Sequence, residues 1–465
     1  MSDYDVIVIG AGPGGYVSAI RASQLGLKTA IIDKQWLGGV CLNVGCIPSK
    51  SLLKNAELAH TLRERAAEFG ISFENLTLDY SKAVARSRQV SERLTKGVGF
   101  LMKKNKIDVH MGAARLMAKD RVQVTDAEGK TSELTAKNIV IATGSHAISV
   151  PGITLDGKRV TSYHEAILQT NLPESAVIIG AGAIGVEFST IWSSYGTKVT
   201  LVEMLPRILP LEDEEVSNEL AKQYKRRGIT IMTGTRVQSV EANNKGVVVK
   251  VNAPDGEKVI EAEQALVAIG FKPNTANLGL EEVGVKLTER GFIDIDDRMA
   301  TSVPGVWAIG DVTGKLLLAH VAENMGIVCA ENIAGAETVT LDYRMMPRTT
   351  FCNPQVASFG YTEAQAKEAG YEIKVGRFNF MANGKALGVG EGVGFAKIIS
   401  DAKYGEILGA HLIGPEASEL LPELTLAQRM ELTAAEISRN VHSHPTLSEV
   451  VLEAAHDVEG HCIHM

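Results

Sequence analysis

The sequence predicts an α/β fold: two Rossmann-like units followed by a C-terminal α+β domain. Three observations predict it. An apolar strand runs through a glycine-rich turn into a helix near the N-terminus; the whole unit recurs with the same internal spacing; and the pattern changes after about Tyr343. At 465 residues the chain has room for about three domains. We expect a first domain over 1–149, a second over 150–273, a central segment 274–342 that completes the first, and a third domain over 343–465.

The first unit opens with Tyr4 to Gly10, YDVIVIG, the continuous apolar run of a strand buried on both faces of a parallel sheet. Gly10, Gly12 and Gly15 follow, then the helix YVSAIRASQLG and a second strand, KTAIID, ending on Asp33. A flexible turn would need none of this context. A dinucleotide site needs all of it: glycines for the tight turn, for backbone approach to a pyrophosphate and for helix packing, then an acid for a ribose hydroxyl. The second unit has the strand SAVIIG, then Gly180, Gly182 and Gly185, the helix VEFSTIWSSYG, and the strand KVTLVE ending on Glu203. Asp33 follows Gly10 by 23 residues and Glu203 follows Gly180 by the same 23. Two dinucleotide sites imply electron transfer between two cofactors. An acid at Glu203 bonds a 2′-hydroxyl and repels a 2′-phosphate, which favours NAD over NADP. Arg207 just downstream is either a phosphate acceptor or, as we expect, a solvated charge ahead of the acidic helix start LEDEEVSNEL.

Between the units, Lys82 to Lys104 is helical and polar, and VHMGAARLM, RVQVTD and SELTAKNIVIATG read as short strands. The last enters Ala142-Thr143-Gly144. In the second unit TIMTG, VVVKVNA and ALVAIG read the same way, the last ending on Gly270. Pro273 and Asn274 mark a turn. The strand VWAIGDV delivers Asp311 to a strand's carboxyl end, where ligands bind in open sheets, although an acid in a turn would look alike. Beyond Tyr343 the strands VASFG, YEIKVGRFNF, FAKIIS and EILGAHLIG alternate with helices. Thr362 with Gln365, and Thr433 with Glu436, have capping-box spacing and fix two helix starts.

Chemistry concentrates in GGVCLNVGCIPSK, Gly38 to Lys50. Cys46 precedes Pro48 at an expected helix start, where unpaired N–H groups favour a thiolate, and Cys41 lies five residues upstream. The pair reads as a redox-active disulfide, as two ordinary buried thiols, or as half a zinc site that lacks a second pair. In NVHSHPTLSEVVLEAAH, Pro445 extends His444 ahead of a helix, and Glu449 is placed to orient that imidazole as a base. Thr446 and Glu449 also have capping-box spacing, which would send Glu449 back to the helix start instead. The tail His461-Cys462-Ile463-His464 has too few ligands for a metal, and we expect none.

Composition excludes other classes. The net charge of −8, without a basic run, argues against nucleic acid or an anionic membrane as partner. No apolar run reaches transmembrane length, and the N-terminus enters a strand after four residues without a leader pattern. Five scattered cysteines do not make a secreted disulfide framework, so a cytoplasmic location is expected.

The ordered set of Gly10 to Gly15, GGVCLNVGCIPSK, Ala142 to Gly144, Gly180 to Gly185, Gly310-Asp311 and HPTLSE from His444 to Glu449 resembles the flavin disulfide reductase family over essentially the whole chain. The resemblance implies FAD at Gly10, Gly12, Gly15, Asp33, Lys50, Thr143, Gly144 and Asp311, and NAD at Gly180, Gly182, Gly185, Glu187, Glu203 and Gly270. It implies that the third domain makes a homodimer in which His444 reaches the other subunit's disulfide. By position Cys46 resembles the sulfur nearest the flavin and Cys41 the one that exchanges with substrate. Lys50 resembles the residue beside the flavin's reactive edge, with Glu187 its partner near the nicotinamide. The nearest branch oxidises dihydrolipoyl groups on the lipoyl domains of 2-oxo acid dehydrogenase or glycine cleavage complexes. A glutathione-reductase-like relative would carry basic residues at Glu203 and Met204. A mercuric-reductase-like one would end in adjacent cysteines, which GHCIHM lacks. A redox or structural subunit of a larger assembly is the alternative of a different class, and it would need none of Cys41, Cys46, His444 and Glu449. Many relatives have Arg where this chain has Phe271.

Overall fold

In the computed structural model, which describes residues 2–464, the apolar run Tyr4–Ile9 is a central strand of a parallel sheet, with Val6, Ile7 and Val8 fully buried. Thr29–Asp33 and then Asp108–Met111 flank it on one side; Thr131–Ile141 and then Val306–Ala308 flank it on the other. Arg121–Thr125 and Ala113–Ala118 extend the long strand as an antiparallel ribbon. These elements belong to a unit formed by residues up to Ser51, Ser81–Ile148 and Gly270–Tyr343. The helices Pro13–Gln24 and Ala319–Ala334 pack closely in it because small residues let them. A Cβ on Gly14 would lie 2.9 Å from Ala322 O, and one on Gly326 would lie 2.6 Å from Gly14 O.

The second unit comprises Leu52–Tyr80, Ser149–Ile269 and the residues from Arg344 onward. Its parallel sheet runs Thr230–Met232, Lys198–Val202, Ser175–Ile179, Gln264–Val267, Val160–Thr161, so the strand order around the first glycine turn is repeated. A three-stranded meander, Arg236–Ala242, Val247–Ala253 and Gly256–Ala262, inserts before the last long strand. The C-terminal sheet is antiparallel: Arg348–Thr350, Gln355–Gly360, Ile407–Gly414, Phe395–Asp401, Ile373–Asn379. Helices Ala417–Arg429 and Glu449–Val458 close it over a core that includes Phe359, Phe378, Leu412, Leu421 and Val451.

An ionic knot fixes this sheet within its unit. The Lys397 side chain, 1% exposed, bonds Asp213 at 3.0 Å, Glu215 at 2.8 Å and Glu363 at 2.8 Å, and Arg377 bonds Glu215 at 2.6 Å. Asp213 is also the N-cap of helix Glu214–Arg226, so one carboxylate serves both a helix start and a buried ammonium.

Both expected capping boxes form, Thr362 with Gln365 and Thr433 with Glu436. Two further local features shape the stretch around the cysteines. The helix that begins at Cys46 ends at His60, where five residues, Thr61–Arg65, widen into a π-turn. Cys41 lies in a short helix of its own, Gly39–Val44, whose entry needs Gly38 and Gly39 at positive φ.

Candidate active site

The two glycine turns are built alike, atom by atom. Gly10 and Gly180 have φ of +105° and +98°, and a Cβ there would strike Ala142 O at 2.3 Å and Ala268 O at 2.4 Å. A Cβ on Gly15 or Gly185 would strike the carbonyl of Gly10 or Gly180 at 1.9 Å. At Gly12 and Gly182 a Cβ meets nothing within 4 Å. Those two positions cap the helices Pro13–Gln24 and Ala183–Ser194, so the open space lies against the first, unpaired N–H groups of a helix. That is the place for a pyrophosphate, and both turns fit one. The acids are matched as well: Asp33 Oδ2 accepts Ala11 N–H at 2.7 Å and Glu203 Oε2 accepts Ala181 N–H at 2.7 Å. Their other oxygens accept from Gln35 and Trp36 at 2.8 and 2.9 Å, and from Leu205 at 2.8 Å. Arg207 pairs with Glu214 at 3.2 Å, the acidic helix start.

Around the first turn, Thr143 Oγ1–H donates to Asn274 O at 2.8 Å and Asn274 Nδ2–H to Thr143 O at 2.8 Å, while Asn274 N–H closes on Gly144 O at 3.0 Å. Asn274, which the sequence marked only as a turn, is the clamp on this exit. Asp311 accepts Ser145 Oγ–H at 2.8 Å; burial pushes its carboxyl up against the pull of that bond. Gly270 stands at φ +128° and accepts Ile148 N–H at 3.0 Å. In the second unit Glu187 is buried, and its Oε1 accepts Phe351 N–H at 3.0 Å. Phe351 gave no signal in the sequence, because it meets Glu187 through its backbone.

Cys46 is the first residue of helix Cys46–His60, with Pro48 in the first turn where its missing N–H costs nothing. Ser49 closes that turn on Gly45 O, at 3.1 Å from its N–H and 2.8 Å from its hydroxyl. No disulfide joins Cys41 and Cys46 in this structure, and their side chains are hydrogen-bonded to each other. The Cys41 thiol is pushed well up, first by its hydrogen bond with Cys46, then by burial and by the charges of Cys46 and Glu323; Lys50 opposes this.

In the second unit His444 Nδ1 bonds Glu449 Oε1 at 2.8 Å, while Glu449 Oε2 accepts Thr446 N–H at 2.8 Å. One Glu449 oxygen thus meets the imidazole and the other the Thr446 N–H, but no capping box forms. Thr446 does not complete the box: its hydroxyl turns to Ser443 O, and the N-cap position is Ser448. Burial raises Glu449, but the Thr446 N–H and His444 outweigh it, so the carboxyl stands below its ordinary value. The His444 side chain is 78% exposed, with Nε2 the nitrogen left to face a reactant. His442 anchors the same loop on Glu423 at 3.0 Å. The tail folds onto buried Glu453, which accepts from Cys462 Sγ at 3.1 Å and Ile463 N–H at 3.1 Å and bonds His464 Nδ1. Among the described residues no group of three or more His, Cys, Asp or Glu is placed to hold a metal ion, and no helix is long and apolar enough to cross a membrane.

Residues 4–326 match the family described as pyridine nucleotide-disulphide oxidoreductase, and residues 346–455 match that family's dimerisation domain. The chain belongs to the pyridine nucleotide-disulphide oxidoreductase family. It is 55% identical over 467 residues to the dihydrolipoyl dehydrogenase of Mycobacterium leprae, covering 100% of both chains. It is 54% identical to that of Corynebacterium glutamicum over 99% of each. Among solved structures it resembles LpdA from Mycobacterium tuberculosis, with a TM-score of 0.91 and 28% identity over 97% of this chain and 99% of that one. It also resembles the Cu(II) complex of the HOCl-induced flavoprotein disulfide reductase RclA from Escherichia coli, with a TM-score of 0.87 and 27% identity over 98% and 99%. Members of this family are flavoprotein oxidoreductases, and the chain uses FAD and NAD.

Proposed function

We propose that the protein is a dihydrolipoyl dehydrogenase in which Cys41 and Cys46 form the redox-active pair and His444 with Glu449 moves the protons. The observation that carries the reading is the thiol pair itself: the Cys41 and Cys46 side chains are hydrogen-bonded to each other, with Cys46 at a helix start where unpaired N–H groups favour a thiolate. FAD is held at Gly10, Gly12, Gly15, Asp33, Lys50, Thr143, Gly144 and Asp311, and NAD at Gly180, Gly182, Gly185, Glu187, Glu203 and Gly270. The open backbone at Gly12 and Gly182 supports that reading.

In the oxidised enzyme a dihydrolipoyl thiolate attacks Cys41 Sγ. The Cys41–Cys46 bond breaks, and Cys46 leaves as a thiolate. His444 Nε2 takes the proton that the attacking dihydrolipoyl thiol gives up, and Glu449 stabilises the imidazolium through Nδ1–H; the proton of the second dihydrolipoyl thiol goes to the departing Cys41. That second sulfur attacks the first; the bond to Cys41 breaks, Cys41 takes up a proton, and oxidised lipoyl leaves. Bound FAD supplies the route by which the two electrons now on the thiol pair reach NAD as a hydride. Glu203 selects NAD by its carboxylate. The family's dimerisation domain over residues 346–455 supports a homodimer in which His444 serves the disulfide of the other subunit. The partners are lipoyl domains of 2-oxo acid dehydrogenase or glycine cleavage complexes, in the cytoplasm.

Steady-state turnover of the holoenzyme with dihydrolipoamide tests the reading. NAD should be reduced well above NADP, and His444→Gln should lose about a hundredfold or more in kcat. Equal rates with both nucleotides would defeat the role of Glu203, and an unimpaired His444→Gln would remove the base.

A further inference from the structure

His442 lies two residues ahead of His444 and is placed differently. Its side chain is 4% exposed, whereas that of His444 is 78% exposed. Both ring nitrogens of His442 meet acceptors. Nδ1 lies 2.9 Å from Asn440 O, and Nε2 lies 3.0 and 3.1 Å from the two oxygens of Glu423, on helix Ala417–Arg429. A backbone carbonyl can only accept, so Nδ1 carries a hydrogen. Glu423, an ionised carboxylate at neutral pH that its bond with His442 pulls lower still, can only accept as well, so Nε2 carries a second hydrogen. An imidazole with a hydrogen on each nitrogen is a cation. The reaction described above does not use it.

We propose that His442, held as an imidazolium between Asn440 O and Glu423, is a positioning residue that fixes the loop presenting His444, so that turnover depends on a proton that takes no part in the reaction. The inference rests on the reading of His444 as the base and says what holds that base in place. Beyond His444 the loop is pinned at Thr446, whose N–H donates to Glu449 at 2.8 Å and whose carbonyl accepts Asn383 Nδ2–H at 3.0 Å. Ahead of His444, Val441 and Ser443 are exposed, and His442 is the side chain that turns inward. Asn440 Nδ2–H also donates to Glu423, at 3.2 Å, so one carboxylate gathers the start of the loop. The bond to Glu423 is the main cause that raises the His442 imidazolium above its ordinary value; burial opposes it, while Asn440 O, just past helix Ala434–Arg439, and the charge of Glu449, on helix Glu449–Val458, add to it. The cation in turn helps hold the Glu449 carboxyl low. A raised imidazolium stabilises the fold fully below its unfolded value of about 6.5 and ceases to do so as pH climbs through its higher folded one. The loop therefore loosens from the alkaline side, where Nε2 has no hydrogen to give Glu423.

The test is made on holoenzyme. Exchange of the imidazole C2 hydrogen in D2O, read by peptide mass against pH, should place the His442 midpoint above about 6.5. Steady-state turnover with dihydrolipoamide and NAD is then compared in Glu423→Gln, which keeps the shape and an acceptor oxygen but removes the charge. Its kcat should lie closest to wild type near about pH 6 and fall about tenfold or more behind it by about pH 8, with the KM for NAD unchanged, since a small misplacement of a catalytic group costs that much. His442→Gln should lose a similar factor at every pH, and the double variant should lose no more than His442→Gln alone, which two independent structural losses would not do. If Glu423→Gln does not fold, the wild-type midpoint and His442→Gln decide. A His442 midpoint at or below about 6.5, or variants that track the wild-type kcat at every pH, overturn the proposal and leave the base in place. If His444→Gln is itself unimpaired, the reading of His444 falls and takes the proposal with it.

Discussion

Glu449 accepts two hydrogen bonds with two oxygens, one from the His444 imidazole and one from Thr446 N–H. Glu449→Gln keeps the shape and leaves a single acceptor oxygen, so either the imidazole or the backbone N–H must go without. A hydrogen bond to a charged group is worth about 1.5–3 kcal/mol. The His444 side chain is 78% exposed, and solvent screening puts the loss at or below the low end of that range. About 1.4 kcal/mol on the transition state is a tenfold loss of kcat. Losing the Thr446 bond instead costs about 1 kcal/mol of stability, as for a helix cap. Steady-state turnover with dihydrolipoamide and urea unfolding, run on the same preparation, separate the two. The account expects kcat to fall about tenfold with a stability loss of about 1 kcal/mol or less. A variant that loses stability and turns over at the wild-type rate would make Glu449 a cap and nothing more.

The remaining predictions concern the nucleotide turns and the ionic knot. Gly12→Ala puts a methyl into open space, so it should fold yet retain little flavin on gel filtration, whereas Gly182→Ala should stay yellow and raise the KM for NAD about tenfold or more; unchanged flavin retention and KM would refute the assignment of phosphates to those openings. Glu203→Ala should raise the NADP-to-NAD ratio of kcat/KM about tenfold, at some cost in stability because Ala181 N–H loses its acceptor. Lys397→Met takes the buried cation away from Asp213, Glu215 and Glu363, leaving Arg377 and Lys367 to serve only the latter two, and should cost about 3–5 kcal/mol at neutral pH. Glu363 is held down to about 2 by Lys367 first and Lys397 next. Because a depressed carboxyl stabilises above its unfolded value and ceases to do so as pH falls toward its folded one, the penalty of Lys397→Met should shrink between about pH 4.5 and 2. A penalty independent of pH in that window would contradict the charge argument.

How much of this was legible in the sequence depends on how local each contact is. The glycine turns could be read because each is a contiguous run whose strand, turn and helix constrain one another. The equal spacing of Asp33 and Glu203 had its physical counterpart in matching bonds to Ala11 and Ala181. Val247–Ala253 was legible as a short strand. Its neighbours, Arg236–Ala242 and Gly256–Ala262, are largely solvent-facing and lack the apolar alternation that would have marked them. The Glu187 bond to Phe351 N–H spans 164 residues and uses backbone, so no residue type announces it. Tyr16 and Glu323 are separated by 307 residues and meet because Gly14 lets two helices touch. For Glu449 the sequence offered two readings of one spacing: the carboxylate does meet His444 and the Thr446 N–H, but the helix starts later, at Ser448, so the capping box does not form.

The most direct test of the account is an anaerobic half-reaction. Holoenzyme given one equivalent of dihydrolipoamide without NAD should yield two new alkylatable thiols, at Cys41 and Cys46, and subsequent NAD should remove both while forming one equivalent of NADH. If no thiols appear at those two positions, or if NAD reduction by dihydrolipoamide survives in Cys41→Ser, the electrons take another path and the central claim is wrong.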